Sequence, residues 1–239
     1  TINAELINND GTIQVDSGIL NLSNANIQLI DGTYNVALDA ALDWDNAVTL
    51  SGELTGEING AINWRSNLNV LPNDTATFNF TGNETVSWLS GALAGGGTLI
   101  NATTIAVATA NNVFINAAST TLTNNGNINF TDTGDIFIST NAVLNNGLTG
   151  VIDFQANASG ISPNGAAPRT VNNTGIIKTS FPNASDEATI NAELINNDGT
   201  IQVDSGILNL NNANIQLIDG TYNVASDAAL DWDNAVTLS

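Results

Sequence analysis

The chain has 239 residues, of which 23 are acidic and only 3 are basic, so its formal net charge at neutral pH is −20. This charge excludes nucleic-acid binding through phosphate neutralisation, which requires clustered Lys and Arg, and it opposes contact with anionic membranes. Cysteine, methionine and histidine are absent, which excludes disulfides, thiol catalysis and Cys/His metal sites, and no apolar run approaches the length needed for membrane insertion.

Short apolar–polar–apolar triplets recur about every seven residues along the chain. Alternation of this kind places the outer two side chains on one face of a strand and the middle one on the other. Each triplet therefore predicts a short strand with one buried face and one solvated face. The clearest triplets are Ile13-Gln14-Val15, Leu20-Asn21-Leu22, Ile27-Gln28-Leu29, Tyr34-Asn35-Val36, Leu42-Asp43-Trp44, Val48-Thr49-Leu50, Ile62-Asn63-Trp64, Val86-Ser87-Trp88, Ile105-Ala106-Val107, Ile128-Asn129-Phe130, Ile136-Phe137-Ile138 and Ile152-Asp153-Phe154.

The segments between triplets are rich in Asn, Asp, Gly and Ser, which tolerate the positive φ angles of tight turns. Two all-β architectures fit such strands. One is a parallel β-solenoid, or β-helix, with about three strands per coil, in coils of about 20–22 residues stacked at about 4.8 Å. The alternative is a series of tandem antiparallel β-sandwich domains. We favour the solenoid, because the strands are short and evenly spaced and because 40 asparagines offer stacked side-chain ladders between coils.

The chain repeats its own beginning. Residues 1–51 (the first copy) recur as residues 189–239 (the second copy) with 49 of 51 positions identical, at a constant offset of 188; only Ser23 and Leu38 change, to Asn211 and Ser226. Residues 1–188 are therefore interpreted as one full tandem unit of roughly nine coils, and residues 189–239 as the start of the next. Three of the four prolines fall in residues 159–188, which predicts an irregular junction there.

Strings such as LINNDGTIQVDSGILNL, LTNNGNINF and VNNTGIIKTS resemble the repeats of large bacterial surface proteins. The similar families are the filamentous-haemagglutinin-like and autotransporter-passenger β-solenoids, and the giant repetitive adhesins or appendage fibres of Bacteroidota. The resemblance covers nearly the whole chain and implies an elongated extracellular protein. The near-identical 188-residue blocks depart from those families.

Acidic residues supply the candidate metal site. Oxygen donors suit calcium, and one cluster of aspartates occurs in each copy, although neither matches an EF-hand or a calcium-binding β-roll motif. We therefore consider Ca²⁺ as a candidate cofactor against the alternative of a solvated acidic face, onto which alternation would place Asp43 and Asp45. The candidate ligands are Asp39, Asp43 and Asp45 in the first copy, and Asp227, Asp231 and Asp233 in the second.

The expected function is that of a non-catalytic structural shaft in a giant adhesive or gripping fibre at the cell surface, bundling with copies of itself. Two alternatives remain. A glycan- or partner-binding adhesin module would need exposed tryptophans, whereas Trp44, Trp64, Trp88 and Trp232 are expected in the core. A polysaccharide-acting β-helix enzyme would need a base beside its acids, and Arg65 is the only basic residue before Arg169. Candidate partners are a homo-oligomeric bundle and a target cell surface or glycan.

Overall fold

A computed structural model gives the fold and describes residues 1–82, 85–212, 214–232, 234 and 236–238. The described residues form 31 β-strands and no helix. The strands are, in chain order, β1 (Leu6–Asn9), β2 (Thr12–Val15), β3 (Ile19–Leu22), β4 (Ile27–Ile30), β5 (Thr33–Val36), β6 (Ala41–Trp44), β7 (Val48–Glu57), β8 (Ala61–Trp64), β9 (Leu68–Val70), β10 (Thr75–Thr81), β11 (Val86–Trp88), β12 (Ala92–Ala94), β13 (Thr98–Asn101), β14 (Thr104–Val107), β15 (Val113–Ile115), β16 (Thr121–Asn124), β17 (Asn127–Phe130), β18 (Asp135–Ser139), β19 (Val143–Asn146), β20 (Val151–Phe154), β21 (Ser159–Asn164), β22 (Thr170–Asn173), β23 (Ile176–Thr179), β24 (Glu187–Ile190), β25 (Glu193–Asn197), β26 (Thr200–Val203), β27 (Ile207–Leu210), β28 (Ile215–Ile218), β29 (Thr221–Val224), β30 (Ala229–Trp232) and β31 (Val236–Leu238).

The strands wind into a parallel β-solenoid of about ten coils with three sides, which confirms the predicted fold class. Face A is a 10-stranded sheet that contains β3, β6, β8, β11, β14, β17, β20, β23, β26 and β29. Face B contains β1, β4, the first part of β7, β9, β12, β15, β18, β21, β24, β27 and β30. Face C contains β2, β5, the second part of β7, β10, β13, β16, β19, β22, β25, β28 and β31.

Every described strand pairing is parallel, so the antiparallel sandwich alternative is wrong. Strand β7 runs round the corner from face B to face C and joins them into one 21-stranded sheet. Gly52, with a φ of 70°, allows the turn at this corner, whereas Gly56 (φ 129°) lies further along β7 on face C, where a Cβ would be only 2.0 Å from the Tyr34 carbonyl oxygen.

Coil length varies more than the sequence suggested. Leu50 lies beside Val70, which is 20 residues further along the chain, whereas Ile161 lies beside Ile190, 29 residues further on. Residues 159–188, where the prolines cluster, contribute β21, β22 and β23 and the start of β24 to the three faces. The extra residues of this coil lie in its corners, so the stacking of strands continues through it.

The core consists of several columns of apolar side chains that run along the axis, and each coil contributes one side chain to each column. Trp44, Trp64 and Trp88 occupy the same register position on face A and are fully buried. The rings of Trp64 and Trp88 stack with their centroids 3.9 Å apart, and Phe130 and Phe154 stack at 4.7 Å further along the same column. The triplets therefore place their outer residues inward, as predicted. Each coil then buries its apolar side chains against the coils on either side.

Candidate functional site: the seam between the copies

The predicted acidic cluster of the first copy does not form a group of solvated carboxylates. Asp43 is only 7% exposed, so the expectation that it lies on a solvated face is wrong; Asp45 is exposed, as expected. The Arg65 guanidinium Nε lies 3.6 Å from an Asp43 carboxylate oxygen and 3.7 Å from one of Asp45, and the Asn63 amide donates to Asp43 at 2.6 Å. Asp39 lies apart from them at an exposed turn with a φ of 62°.

In the second copy, Asp227 and Asp231 are exposed, and Asp233 lies outside the described residues. Across the part of the chain that the structure describes, no three His, Cys, Asp or Glu side chains come together in a way that could hold a metal ion. Calcium binding by these aspartates therefore stays a prediction.

All three basic side chains bridge neighbouring coils. Besides Arg65, the Lys178 ammonium lies 3.2 Å from a carboxylate oxygen of Asp153, which is buried on face A and also accepts a hydrogen bond from Ser180 at 2.7 Å. Arg169 lies 3.8 Å from Glu193, the fifth residue of the second copy. The few positive charges are thus placed against acids of the adjacent coil.

A buried ladder of asparagines lies at the end of the face C strands. Each side-chain amide nitrogen donates to the amide oxygen of the next rung, at distances of 2.8, 2.8, 2.7 and 2.6 Å. Each nitrogen also donates to a backbone carbonyl, so these buried polar groups are satisfied. The rungs, all at most 1% exposed, are Asn101, Asn124, Asn146, Asn173 and Asn196.

The ladder crosses the boundary between residues 188 and 189, which we call the seam. Its fourth rung, Asn173, belongs to the first unit, and its fifth, Asn196, belongs to the second copy. Asn196 then donates to the Tyr222 hydroxyl at 2.9 Å, which ends the ladder. The first copy contains the same ending: Asn8 donates to the Tyr34 hydroxyl at 2.9 Å.

Strand pairing and core packing are also continuous at the seam. Strands β22, β23 and β24 of one coil pair in register with β25, β26 and β27 of the next, on faces C, A and B respectively. Leu194, Ile201 and Leu208, the first inward residues of these strands in the second copy, are fully buried. A side-chain register fixed by both an apolar face and a polar ladder resists slippage.

The final coil leaves its apolar residues open along the axis. A recess of about 610 Å³ is lined by side chains that include Tyr222, Val224 and Trp232. Their counterparts in the first copy, Tyr34, Val36 and Trp44, are at most 1% exposed because the coil from Gly52 to Leu71 covers them. The recess is therefore the uncovered end of the apolar core.

One aromatic pair lies on the outward side of the solenoid. Phe114 and Phe137 are the middle residues of their strands on face B, are partly exposed, and have ring centroids 5.6 Å apart. Beside them, Asp135 accepts a hydrogen bond from Ser162 at 2.7 Å, and burial raises the pKa of the Asp135 carboxyl. The sequence signal for this pair is the phenylalanine in the middle of the triplet Ile136-Phe137-Ile138, a position that is polar in most of the triplets.

The tryptophans, unlike Phe114 and Phe137, belong to the core. Trp44, Trp64 and Trp88 are fully buried, as predicted, and Trp232 is half-exposed only because it lies at the open end of the core. These three side chains therefore pack the core and offer no ring to a sugar.

The fold and the seam define the class: a parallel three-sided β-solenoid built from tandem units, with an internal asparagine ladder. No protein-family model, curated protein or solved structure matches this chain. Among the described residues there is also no helix of the length and hydropathy that crossing a bilayer requires.

Proposed function

We propose that the chain is a non-catalytic shaft segment of a giant extracellular adhesive or gripping fibre, in which 188-residue units follow one another without linkers. The observation that supports this most is the continuity of the seam. Strand pairing on three faces, the apolar core and the asparagine ladder all pass from the first unit into the second copy. Units joined in this way act as one rod, because each coil is stabilised by contacts with its two neighbours.

An extracellular or cell-surface location is part of this proposal. It is supported by the absence of cysteine and methionine, which removes the side chains most easily oxidised, and by the resemblance of the Asn-rich repeats to bacterial surface proteins. Protease digestion of intact producing cells tests it. Cleavage of the protein without lysis supports the location, and protection until lysis contradicts it.

Arrays of one, two and three units test the shaft. A continuous solenoid should lengthen by about 40 Å per unit, given about 4.8 Å per coil, and should keep a constant cross-section. Small-angle scattering or electron microscopy measures both quantities. Arrays that collapse, bend at every seam or show independently tumbling units would contradict the proposal.

Lateral bundling with copies of the same chain belongs to the proposal but is opposed by charge. At −20 per chain, parallel rods repel one another unless salt or multivalent cations screen the carboxylates. Sedimentation should therefore show monomers at low salt and larger species in calcium or at high ionic strength. A monomer under every condition would remove bundling from the proposed function and leave the shaft intact.

A second candidate, a glycan- or partner-binding adhesin module, is favoured by the outward aromatic pair alone. The rings of Phe114 and Phe137 offer an apolar platform, and Asp135 and Ser162 beside it offer hydrogen-bonding groups. Glycan-array binding by a single unit, lost in the Phe114→Thr/Phe137→Thr variant, would support it. The matched control is Asn129→Thr, an outward position on face A. Absence of binding by the unmodified unit would count against this candidate.

A further inference from the structure

The two copies place the same sequence on different sides of the solenoid. The segment Leu6–Asn9 forms β1 on face B, whereas its counterpart Leu194–Asn197 lies in β25 on face C. The next two strands shift in the same way: β2 on face C corresponds to β26 on face A, and β3 on face A corresponds to β27 on face B.

The shift follows from the number of strand positions in one unit. Face B passes from β1 through β4, β7, β9, β12, β15, β18 and β21 to β24, which makes eight full coils. Strand β25, the counterpart of β1 in the second copy, comes one face later. One unit is therefore eight and one-third coils, where the sequence had suggested roughly nine.

The copied segment tolerates any face because its own period fits all three. In the first copy the inward residues Ile13, Leu20, Ile27 and Tyr34 are spaced seven residues apart, and Leu29 lies beside Leu50, 21 residues further on. Three equal sides of seven residues make a coil of 21 residues. A shift by one side then returns apolar residues to inward positions and polar residues to outward positions.

We infer that successive units turn about the fibre axis by one face, so that the fibre is a screw of one-third turn per unit. The inference rests on the proposed tandem array. Its consequence concerns the interaction surface of the fibre: each outward feature of the unit, including the pair Phe114 and Phe137, faces a new side in the next unit and returns to its first side after three units. A partner that binds one surface of the unit therefore meets it on all three sides of the fibre.

The register at the seam can be tested in the chain as it is, since the protein has no cysteine of its own. Asn172 and Ile195 are outward neighbours on face C, and parallel strands about 4.8 Å apart lie within the Cα separation that a disulfide spans. Mild oxidation of the Asn172→Cys/Ile195→Cys variant should give near-complete intramolecular cross-linking. The Asn145→Cys/Asn172→Cys variant, also outward neighbours on face C, is the positive control.

A second variant tests the alternative arrangement, in which both copies lie on the same faces. If the second copy kept the face of the first, Ile195 would lie on face B, as its counterpart Ile7 does, and would approach Ser162. Cross-linking in Ser162→Cys/Ile195→Cys, or failure of Asn172→Cys/Ile195→Cys while the positive control cross-links, would overturn the inference. A trace of product in the Ser162 variant and full cross-linking in the Asn172 variant supports it.

An array of three units separates this inference from the proposed function. Leu148 is 83% exposed at a corner, so Leu148→Cys in each unit carries an electron-dense label without disturbing the core. In cryo-electron microscopy the three labels should lie on three different sides, advancing by about 40 Å per unit at about 4.8 Å per coil. An elongated rod with all labels on one side overturns the rotation and leaves the shaft standing. An array that is not a rod refutes the shaft itself.

Discussion

The first and second copies differ at two positions in 51, but they leave opposite ends of the copied segment partly exposed. In the first copy the early residues Leu6, Ile13 and Leu20 are only partly buried, whereas the later residues Tyr34 and Trp44 are fully buried. The second copy reverses this: Leu194, Ile201 and Leu208 are fully buried, whereas Tyr222 is 37% and Trp232 49% exposed. The strands β2 to β6 and β26 to β30 nevertheless span equivalent residues in the two copies. Local sequence therefore determines where strands form, and the adjacent coil determines what they bury.

The largest expected difference between the copies is at the tryptophan. Truncation of a fully buried aromatic side chain costs about 3–5 kcal/mol, so Trp44→Ala should lower the free energy of unfolding by that amount. Trp232→Ala removes the same side chain at the open end and should cost about 1 kcal/mol or less, because solvent already reaches it. Denaturant unfolding of the two variants measures both, and equal losses would contradict the comparison.

The next largest difference is at the asparagine that the copies share. Asn196→Ala removes a rung that accepts from Asn173 and donates to Tyr222, and the buried Asn173 amide left without its partner costs about 1–3 kcal/mol. Asn8→Ala removes the hydrogen bonds to the Tyr34 hydroxyl and the Gly11 carbonyl oxygen, in a partly exposed position, and should cost about 1 kcal/mol. The free energies of unfolding of the two variants test this, and a larger loss in Asn8→Ala would show that the ladder does not stabilise the seam.

The difference in burial between the two copies should disappear when the open end of the core is covered. When a copy of residues 52–71 is attached after Ser239, Tyr222 and Trp232 should become buried, as Tyr34 and Trp44 are. The attached copy carries Phe in place of Trp64, so that no new tryptophan lies at the open end. Tryptophan fluorescence should then shift to shorter wavelength and lose most of its acrylamide-quenchable fraction. The control extension carries Thr in place of the inward residues Leu54, Ile58, Ile62, Trp64 and Leu68. The same spectral change with this control would mean that the added coil does not dock through its core residues.

A smaller effect is expected at alkaline pH. Burial raises the pKa of the Tyr34 hydroxyl from 10.0 to about 12, opposed in part by the hydrogen bond from Asn8. In the unfolded chain the phenol ionises at lower pH, so the stabilisation from keeping it protonated is complete below pH 10 and is lost as the pH rises towards 12. Tyr34→Phe should remove this part of the pH dependence of unfolding. An unchanged profile in the variant would show that Tyr34 does not titrate with folding.

Much of the fold could be predicted from the sequence because the apolar–polar–apolar triplets report directly on side-chain alternation. Leu42-Asp43-Trp44 shows both the success and its limit. Alternation placed Trp44 inward and Asp43 outward, which is correct, but it could not show that Arg65, 22 residues away, folds back over Asp43 and removes it from solvent. A contact between coils depends on coil length, which triplet spacing alone does not fix.

The sequence predicted that stacked asparagines form a ladder between coils, but it could not identify which asparagines take part. The pairs Asn8-Asn9 and Asn196-Asn197 each offer two candidates at a turn, and only the stacking of coils shows that Asn196 is buried while Asn197 is exposed. The side on which each strand lies was equally hidden, because the seven-residue spacing is the same for all three faces. The number of coils per unit could not be predicted either, because the coil from Ile161 to Ile190 is longer than any triplet spacing suggested.

Each unit contains one-third of a coil beyond eight full coils. A change in the number of units would therefore alter the direction of the fibre tip as well as the length of the fibre. A genetic gain or loss of one unit would turn everything that the array carries by one face relative to its base, and a change of three units would restore the original direction. Variants of the gene that differ by three units would then share the orientation of their tips, whereas variants that differ by one or two would not. The length of such a fibre and the direction its tip faces are thus coupled. One unit has 25 strand positions, since β7 counts once on face B and once on face C, and division among three faces leaves a remainder of one.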